Sequence, residues 1–230
     1  MEIDFESIQN NIDEIFNIST SKSLMEIYGV NRLEAAHSEF LTWLFNEYKL
    51  VAIIPLLEEL SIKRKLELGN VANHIIQGGT SNLCEIRARR ECAFKQGSSN
   101  DRIDIITTIK TSKQKVMNLF VEVKVESEEH WNKAGNNYQT VVYYNNYSND
   151  EQYKDSENIF IYLTIEGSKA ECQHFQPLSY QDLYDWILRP IIQNNNKNNK
   201  NNIKVIKDYC KALQAISTNK SKPLIMANIW

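Results

Sequence analysis

An acid and a base lie two residues apart in a short run of strand-forming residues. Glu122 and Lys124 alternate with valines, so the two-residue period of a strand places both charged side chains on one face. The preceding strand-like run carries Asp104 between isoleucines, where a charged group needs a specific reason to be present. Taken alone, the Glu-x-Lys pair also fits an ion pair on an edge strand.

Two carboxylates on adjacent antiparallel strands can share a hard divalent cation. Mg²⁺ suits such a pair, because proteins usually hold it with one or two carboxylates together with water and substrate phosphate oxygens. A nearby lysine can orient or deprotonate an attacking water and offset phosphate charge. Asp104, Glu122 and Lys124 therefore form a set sufficient for phosphodiester hydrolysis assisted by Mg²⁺ or Mn²⁺.

The middle of the chain must supply the sheet that positions these residues. Runs rich in Ile, Val, Thr and Phe predict a three-stranded meander over 87–94, 102–109 and 118–125. Helical spacing of apolar residues follows over 128–146, and the continuous apolar run 159–165 is typical of a buried parallel strand. The order β-β-β-α-β implies a mixed sheet, because a helical crossover returns the chain parallel to the strand it left.

Helices are expected on both sides of this core. Apolar residues at helical spacing predict five of them, over 5–17, 33–44, 47–60, 179–192 and 203–216. Seven Asn and two Lys fill 194–202, which predicts a disordered loop. We therefore expect one α/β domain over 1–230, mostly helical over 1–75, with a core over 83–165 and C-terminal helices over 179–216.

The composition excludes several classes of protein. Of the 230 residues, 42% are hydrophobic and 24% charged, so global disorder is excluded. A net charge of −3 argues against coating nucleic acid through bulk positive charge, but allows a local basic groove. The acidic N-terminus is unlike a presequence, and no apolar run approaches the roughly 20 residues that span a bilayer. The four cysteines include no Cys-x-x-Cys pair. We expect a cytoplasmic protein without a membrane partner, zinc site or disulfide.

At this point the sequence resembles the PD-(D/E)XK nuclease superfamily, whose catalytic Asp precedes a (D/E)-x-K strand. Asp104 corresponds to the motif's Asp, with Ile103 in place of Pro, and Glu122-Val123-Lys124 corresponds to its second half. A bacterial branch of the superfamily is more similar still, since it shares a helix like residues 34–44, a Gln-x-x-x-Tyr helix and a strand end like residues 162–167.

The resemblance implies a restriction-endonuclease-like α/β fold with an α-β-β-β-α-β core, a mixed sheet and extra helices at both termini. It also implies an Mg²⁺-dependent nuclease whose substrate is nucleic acid, with DNA favoured. Whether the chain forms a homodimer, and whether it cuts internally or from an end, stays open at this stage.

The resemblance also assigns roles to individual residues. Asp104, Glu122, the backbone carbonyl of Val123 and Glu34 from the first helix of the fold are expected around the metal. Gln139 and Tyr143, which share a helix face because they are four residues apart, are expected to support the site and contact the nucleic-acid backbone. Without the resemblance, the same pair equally fits a polar Gln beside a half-buried Tyr.

Further residues have weaker assignments. His37 and Glu91 are candidate supporting groups, although His37 also fits a half-buried histidine and Glu91 also fits an ion pair with its neighbours. Arg87, Arg89 and Arg90 form the best local basic patch for phosphates, and Arg102 is a further candidate for binding nucleic acid. A solvated strand face explains them equally well. Three tryptophans fall on helical apolar stripes and are predicted to lie in the core: Trp43, Trp131 and Trp186.

Two other functions compete with the nuclease hypothesis. The first is a non-catalytic nucleic-acid or protein interaction module that retains the nuclease fold, which the intact Asp/Glu/Lys set disfavours. The second is a structural helical bundle, which predicts almost no strand in circular dichroism.

Overall fold

A computed structural model describes residues 22–78, 83–93, 102–113, 115–133, 135–194 and 200–217 of the chain. The helix predicted over 5–17 lies outside these residues. Helices and strands follow one another in this order: α1 Leu24–Ile27, α2 Glu34–Tyr48, α3 Leu50–Lys63, α4 Asn70–Gly78, β1 Leu83–Ala93, β2 Arg102–Thr111, β3 Val116–Val123, β4 Trp131–Asn132, β5 Asn137–Tyr138, α5 Gln139–Asn149, β6 Glu157–Thr164, β7 Phe175–Ser179, α6 Tyr180–Leu183, a π-helical segment Tyr184–Leu188, α7 Arg189–Gln193 and α8 Lys200–Ser217.

The main sheet is mixed and has the strand order β1-β2-β3-β6-β7. β1, β2 and β3 pair antiparallel, which confirms the predicted meander. β6 pairs parallel to β3 after the α5 crossover, so Glu122 lies opposite Tyr162 in the register. The fold is a mixed α/β arrangement consistent with the restriction-endonuclease-like class, as predicted.

The sheet buries a different apolar cluster on each face. One face packs against the helical layer, with Leu41 of α2, Leu57 of α3 and Ile187 of the π-helical segment in the same buried cluster as Val121 and Val123. The other face packs against α5 through a smaller cluster that is rich in aromatic residues. Side chains along β3 alternate between the two faces, so Val121 and Val123 belong to the first cluster and Phe120 belongs to the second.

Two predictions about the middle of the chain need correction. The helix predicted over 128–146 begins only at Gln139, because Trp131–Asn132 and Asn137–Tyr138 pair as the short antiparallel hairpin β4–β5. Trp131 therefore lies on a strand with 52% of its surface exposed, and its prediction as a core residue is wrong. The edge strand β7, parallel to β6, was not predicted, since it is five residues long and contains Pro177.

The C-terminal helices agree with the prediction apart from their boundaries. The helix predicted over 179–192 is present as α6, the π-helical segment and α7 in succession. Helix α8 begins at Lys200, so the predicted disordered loop is wrong for 200–202, and residues 195–199 lie outside the described residues. The assignment of the whole chain to one domain stays a prediction.

Within the described ranges, no single helix is long and apolar enough to cross a membrane. Helices α2 and α3 pass that test only when joined, and they meet at a bend of 107°.

Candidate active site

Asp104 and Glu122 come together where two strands of the sheet separate. The pairing of β2 with β3 runs as far as Ile105 opposite Val121. At the next position of β2, the Asp104 carboxylate accepts a hydrogen bond from the Val123 N–H at 2.8 Å. A side-chain oxygen thus takes the place of a strand carbonyl at this end of the ladder. The two acids predicted from the sequence therefore lie on neighbouring strands at one sheet end.

Lys124 pairs directly with Glu122, as the strand period predicts. The Lys124 ammonium donates to Glu122 Oε1 at 2.8 Å, and the two residues are only 4% and 1% exposed. The backbone of Lys124 is held by β6, because its N–H donates to the Leu163 carbonyl at 2.8 Å. The second oxygen of the carboxylate, Glu122 Oε2, is buried and has no hydrogen-bond partner in the described parts of the chain.

Helix α2 brings a third carboxylate to the same place. Glu34 is the first residue of α2, and its Oε2 lies 3.5 Å from the Lys124 ammonium. Its other oxygen accepts hydrogen bonds from the Ser127 hydroxyl and, at 3.4 Å, from the Val125 N–H. The apolar side of α2 packs against the sheet, so the helix start is held at the end of β3. Glu34 therefore joins the cluster as predicted, while its role as a metal ligand stays a prediction.

The cluster is electrostatically unbalanced in favour of negative charge. Burial raises the pKa of Asp104 to about 6, against the opposing effect of the Val123 N–H and Lys124. Burial and then the charge of Asp104 raise the pKa of Glu122 to about 8. Burial alone would lower the pKa of Lys124, but the surrounding carboxylates, Glu122 foremost, raise it above its usual value. The lysine is therefore a fixed cation beside two acids that resist ionisation.

Gln139 and Tyr143 project from the first turns of α5 toward this cluster. The Gln139 amide donates to the Tyr143 hydroxyl at 2.7 Å, and that hydroxyl donates to the Arg102 carbonyl at 2.6 Å. Burial, and after it the charge of Glu122, raise the pKa of Tyr143, which keeps the phenol neutral. Gln139 Oε1 is buried without a hydrogen-bond partner among the residues described. The pair thus has a structural contact to β2 and a free acceptor near the site.

This geometry can be compared with known proteins. The family model of the PD-(D/E)XK nuclease superfamily matches residues 24–211, which contain every residue of the cluster. The chain belongs to the PD-(D/E)XK nuclease superfamily. Searches of curated proteins and of solved structures give no match. Proteins of this superfamily are generally nucleases and typically use divalent metals. Ile103, in place of Pro, is a departure from the usual PD-(D/E)XK pattern, whereas Val123 stands at its variable position and donates its N–H to Asp104.

The donor set of this PD-(D/E)XK site fits a hard cation. One buried carboxylate oxygen has no hydrogen-bond partner, and two carboxylates have raised pKa values. A bound divalent cation would give that oxygen a partner and would stabilise both carboxylates in their charged form. No group of three or more His, Cys, Asp or Glu side chains in the described residues has the geometry of a metal cluster. The reason is visible in the contacts: Lys124 holds Glu122, and Ser127 holds Glu34. Asp104 and Glu122, with oxygen atoms of the backbone and solvent, are the residues that would hold the ion.

Both ring nitrogens of His37 bind partners outside the carboxylate cluster. His37 is fully buried, and its two ring nitrogens are hydrogen-bonded at 2.9 Å each to the Tyr209 hydroxyl of α8 and the Asn31 carbonyl. Burial lowers the pKa of the imidazole, which favours its neutral form. The residue shares a helix with Glu34, whose charge acts on it, and it joins α2 to α8. Its supporting role stays a prediction.

Glu91 also points elsewhere, because the backbone of β1 is irregular there. Its φ of 46° lies in the left-handed region, which breaks the alternation of the strand. Its carboxylate pairs with Arg90 at 2.9 Å and with Arg102 at 3.3 Å, and it is half exposed. The candidate supporting role of Glu91 is therefore not supported by its position.

The arginines of the patch, which lie on β1, are divided between its two faces, and Arg102 is the first residue of β2. Arg87 is exposed and Arg89 half-buried, and Arg89 contributes to the electrostatic environment of Tyr153 on the α5 side. Arg90 instead pairs with Glu39 of α2, and its charge lowers the pKa of Asp104. The charge of Arg90 therefore reaches the acidic cluster. Nucleic-acid binding by the patch stays a prediction.

Two residues that hold the site were not found from the sequence. Ser127 follows Lys124 by three residues and fixes Glu34, but an isolated Ser carries no pattern. Glu129 accepts hydrogen bonds from the Thr140 N–H and hydroxyl, which secures the start of α5 and with it Gln139. Glu129 lies ten residues before Gln139, the first residue of α5, so no local helix-start pattern indicated its role.

Proposed function

We propose that this chain is an Mg²⁺-dependent nuclease that hydrolyses phosphodiester bonds in DNA and acts in the cytoplasm. Membership of the PD-(D/E)XK superfamily supports the nuclease class. The observation that carries the proposal is the arrangement of Asp104, Glu122 and Lys124 at one sheet end, with Glu122 Oε2 left without a partner. A carboxylate in this position serves no evident structural purpose.

Each residue has a defined part in the proposed reaction. Asp104 and Glu122, together with the Val123 carbonyl, hold the cation, and Glu34 adds negative charge at the edge of the site. When bound, Mg²⁺ supplies charge neutralisation at the phosphate and a water molecule of lowered pKa. The raised pKa of Lys124 keeps its ammonium protonated. Lys124 therefore orients the water and stabilises phosphate charge, in preference to removing a proton.

Gln139 and Tyr143 act on the substrate backbone in this proposal. Tyr143 is anchored to β2 through the Arg102 carbonyl, so it fixes the Gln139 amide. The unsatisfied Gln139 Oε1 requires a donor, which a water molecule between the amide and the substrate backbone can supply.

A cleavage assay tests the proposal. Labelled linear and circular DNA, and RNA of the same sequence, are incubated with the full chain in Mg²⁺, in Mn²⁺ and in chelator. We expect metal-dependent cleavage that Glu122→Gln and Lys124→Ala each reduce by two orders of magnitude or more. The matched controls are Glu85→Gln and Lys110→Ala, because these residues form an exposed ion pair at 3.0 Å in the same sheet.

The assay also separates the proposal from the non-catalytic alternative. DNA binding without cleavage in either metal would favour an interaction module that retains the fold. Cleavage that survives both substitutions would remove the assigned site. Cleavage of RNA alone would contradict the DNA assignment.

A further inference from the structure

The β4–β5 hairpin presents two aromatic side chains to solvent. Trp131 of β4 is 52% exposed and Tyr138 of β5 is 37% exposed. The two lie opposite each other in the hairpin register, and their rings meet edge-on with centroids 5.2 Å apart. Aromatic residues of this size are normally buried, so an exposed pair on a short hairpin has a binding role as its natural explanation.

The hairpin is fixed to the site and not loosely attached. It connects the strand end that carries Lys124 to the helix that carries Gln139, and the Gln139 N–H donates to the His130 carbonyl at 2.9 Å. Its turn approaches α5 so closely that a Cβ at Gly135 would lie 2.5 Å from Cγ2 of Val142. Glu129 connects the hairpin base to a further segment by accepting from the Glu171 N–H at 2.8 Å.

Tyr138 and Lys124 line the same cavity, which has a volume of about 520 Å³. The remaining wall is mainly acidic. Among the described residues, five glutamates line it together with the two lysines Lys124 and Lys169: Glu126, Glu128, Glu129, Glu166 and Glu171. Such a wall repels a phosphate backbone, whereas the uncharged face of a nucleobase is not repelled.

From this arrangement we infer that the ring of Trp131, the more exposed of the two, stacks on an unpaired base next to the scissile phosphate, while Tyr138, set edge-on to it, holds the indole in place. The inference rests on the proposed nuclease function and narrows its substrate class to nucleic acid with a single-stranded segment at the cleavage position. Bases of an intact duplex are stacked on each other and do not present their faces to a protein. Stacking on aromatic side chains is tolerant of sequence, because every base has a π-face. The hairpin therefore distinguishes single-stranded from double-stranded nucleic acid and does not distinguish base sequence.

Binding measurements on three DNA probes test the inference. Fluorescence anisotropy is recorded for a labelled oligothymidylate, a blunt duplex and the same duplex with a single-stranded overhang. Ca²⁺ replaces Mg²⁺ to satisfy the carboxylates, and gels of the same samples verify that the DNA stays intact. We expect Trp131→Ala and Tyr138→Ala to weaken binding of the oligothymidylate and the overhang probe by about tenfold, with blunt duplex binding unchanged.

Two further variants make the result specific. Trp131→Phe keeps a ring, so it retains most of the affinity that Trp131→Ala loses. Ile62→Ala removes another exposed apolar side chain, from α3, and leaves all three affinities unchanged. Equal affinities for wild type and both alanine variants, equal losses on all three probes, or no binding by the wild type would each overturn the inference.

A parallel cleavage assay in Mg²⁺ separates this inference from the proposed function. Cleavage by the wild type without any effect of Trp131→Ala on single-strand binding rejects the stacking role and leaves the nuclease. If the wild type does not cleave but the alanine variants selectively lose single-strand binding, the nuclease proposal is rejected and the stacking role of the hairpin is kept.

Discussion

The substitution Glu122→Gln should change how the stability of the protein depends on pH. Burial and the charge of Asp104 raise the pKa of Glu122 from 4.5 to about 8. Between these two values the folded chain keeps a proton that the unfolded chain has released. In the absence of a divalent cation, the free energy of unfolding therefore falls as the pH rises through this window. A glutamine resembles the protonated acid, so the variant lacks this fall.

The size of the effect follows from the shift. One pKa unit corresponds to about 1.4 kcal/mol, so ionising Glu122 between pH 5 and pH 8 lowers the free energy of unfolding by up to about 3 kcal/mol. Asp104, with its pKa raised to about 6, adds a smaller fall of the same sign in both proteins. At pH 8 without metal, the variant should be the more stable protein. Added Mg²⁺ should reverse the order, because it stabilises only the form with both carboxylates.

Urea unfolding followed by circular dichroism measures this effect. Wild type, Glu122→Gln and the exposed control Glu85→Gln are unfolded from pH 5 to pH 8, in chelator and in Mg²⁺. Parallel curves for wild type and Glu122→Gln across the range would refute the electrostatic account of the site. So would an equal change in Glu85→Gln, whose carboxylate is half exposed.

Three other substitutions have defined outcomes. Lys124→Ala should lower cleavage at least a hundredfold while circular dichroism shows an intact fold, and a rate within threefold of wild type would exclude a role at the reacting phosphate. Tyr143→Phe removes the hydroxyl that donates to the Arg102 carbonyl, so unfolding should become easier by about 1 kcal/mol, measured in urea. An unchanged midpoint would contradict that contact. His37→Phe leaves the buried Tyr209 hydroxyl without its imidazole partner and should cost about 1–3 kcal/mol of stability. The Mg²⁺ affinity of this variant, measured by calorimetry, should equal that of the wild type. A large loss of affinity would show that His37 contributes to metal binding.

The sheet was predictable from the sequence because its strands carry strong local signals. Runs of β-branched residues with turn-forming segments between them predicted β1, β2 and β3, which the structure contains. The two-residue period of a strand predicted that Glu122 and Lys124 lie side by side. The single crossover helix then required β6 to be parallel.

The hairpin was not predictable because its spacing is ambiguous. Trp131 and Tyr138 are seven residues apart, which is two turns of a helix and equally a cross-strand pair around a short turn. Strand β7 carries too weak a signal, with five residues and Pro177 at a sheet edge.

Part of the site depends on tertiary contacts that no local pattern shows. Glu34 and His37 lie one helical turn apart, yet Glu34 faces Lys124 and His37 faces α8. Glu91 follows the strand pattern in sequence, but its left-handed backbone turns the carboxylate toward two arginines. Spacing identified the elements that carry these residues, and packing decided which of them meet.

A crystal structure of the full chain soaked in Mn²⁺ tests the central claim most directly. Anomalous scattering locates the cation without reference to any assumed chemistry. We expect a peak with oxygen atoms of both Asp104 and Glu122 at about 2.0–2.4 Å, and with the Lys124 ammonium moved away from Glu122. A peak confined to the acidic cavity wall, or no peak in protein that cleaves DNA with Mn²⁺, would contradict the assignment of these two carboxylates as the metal ligands.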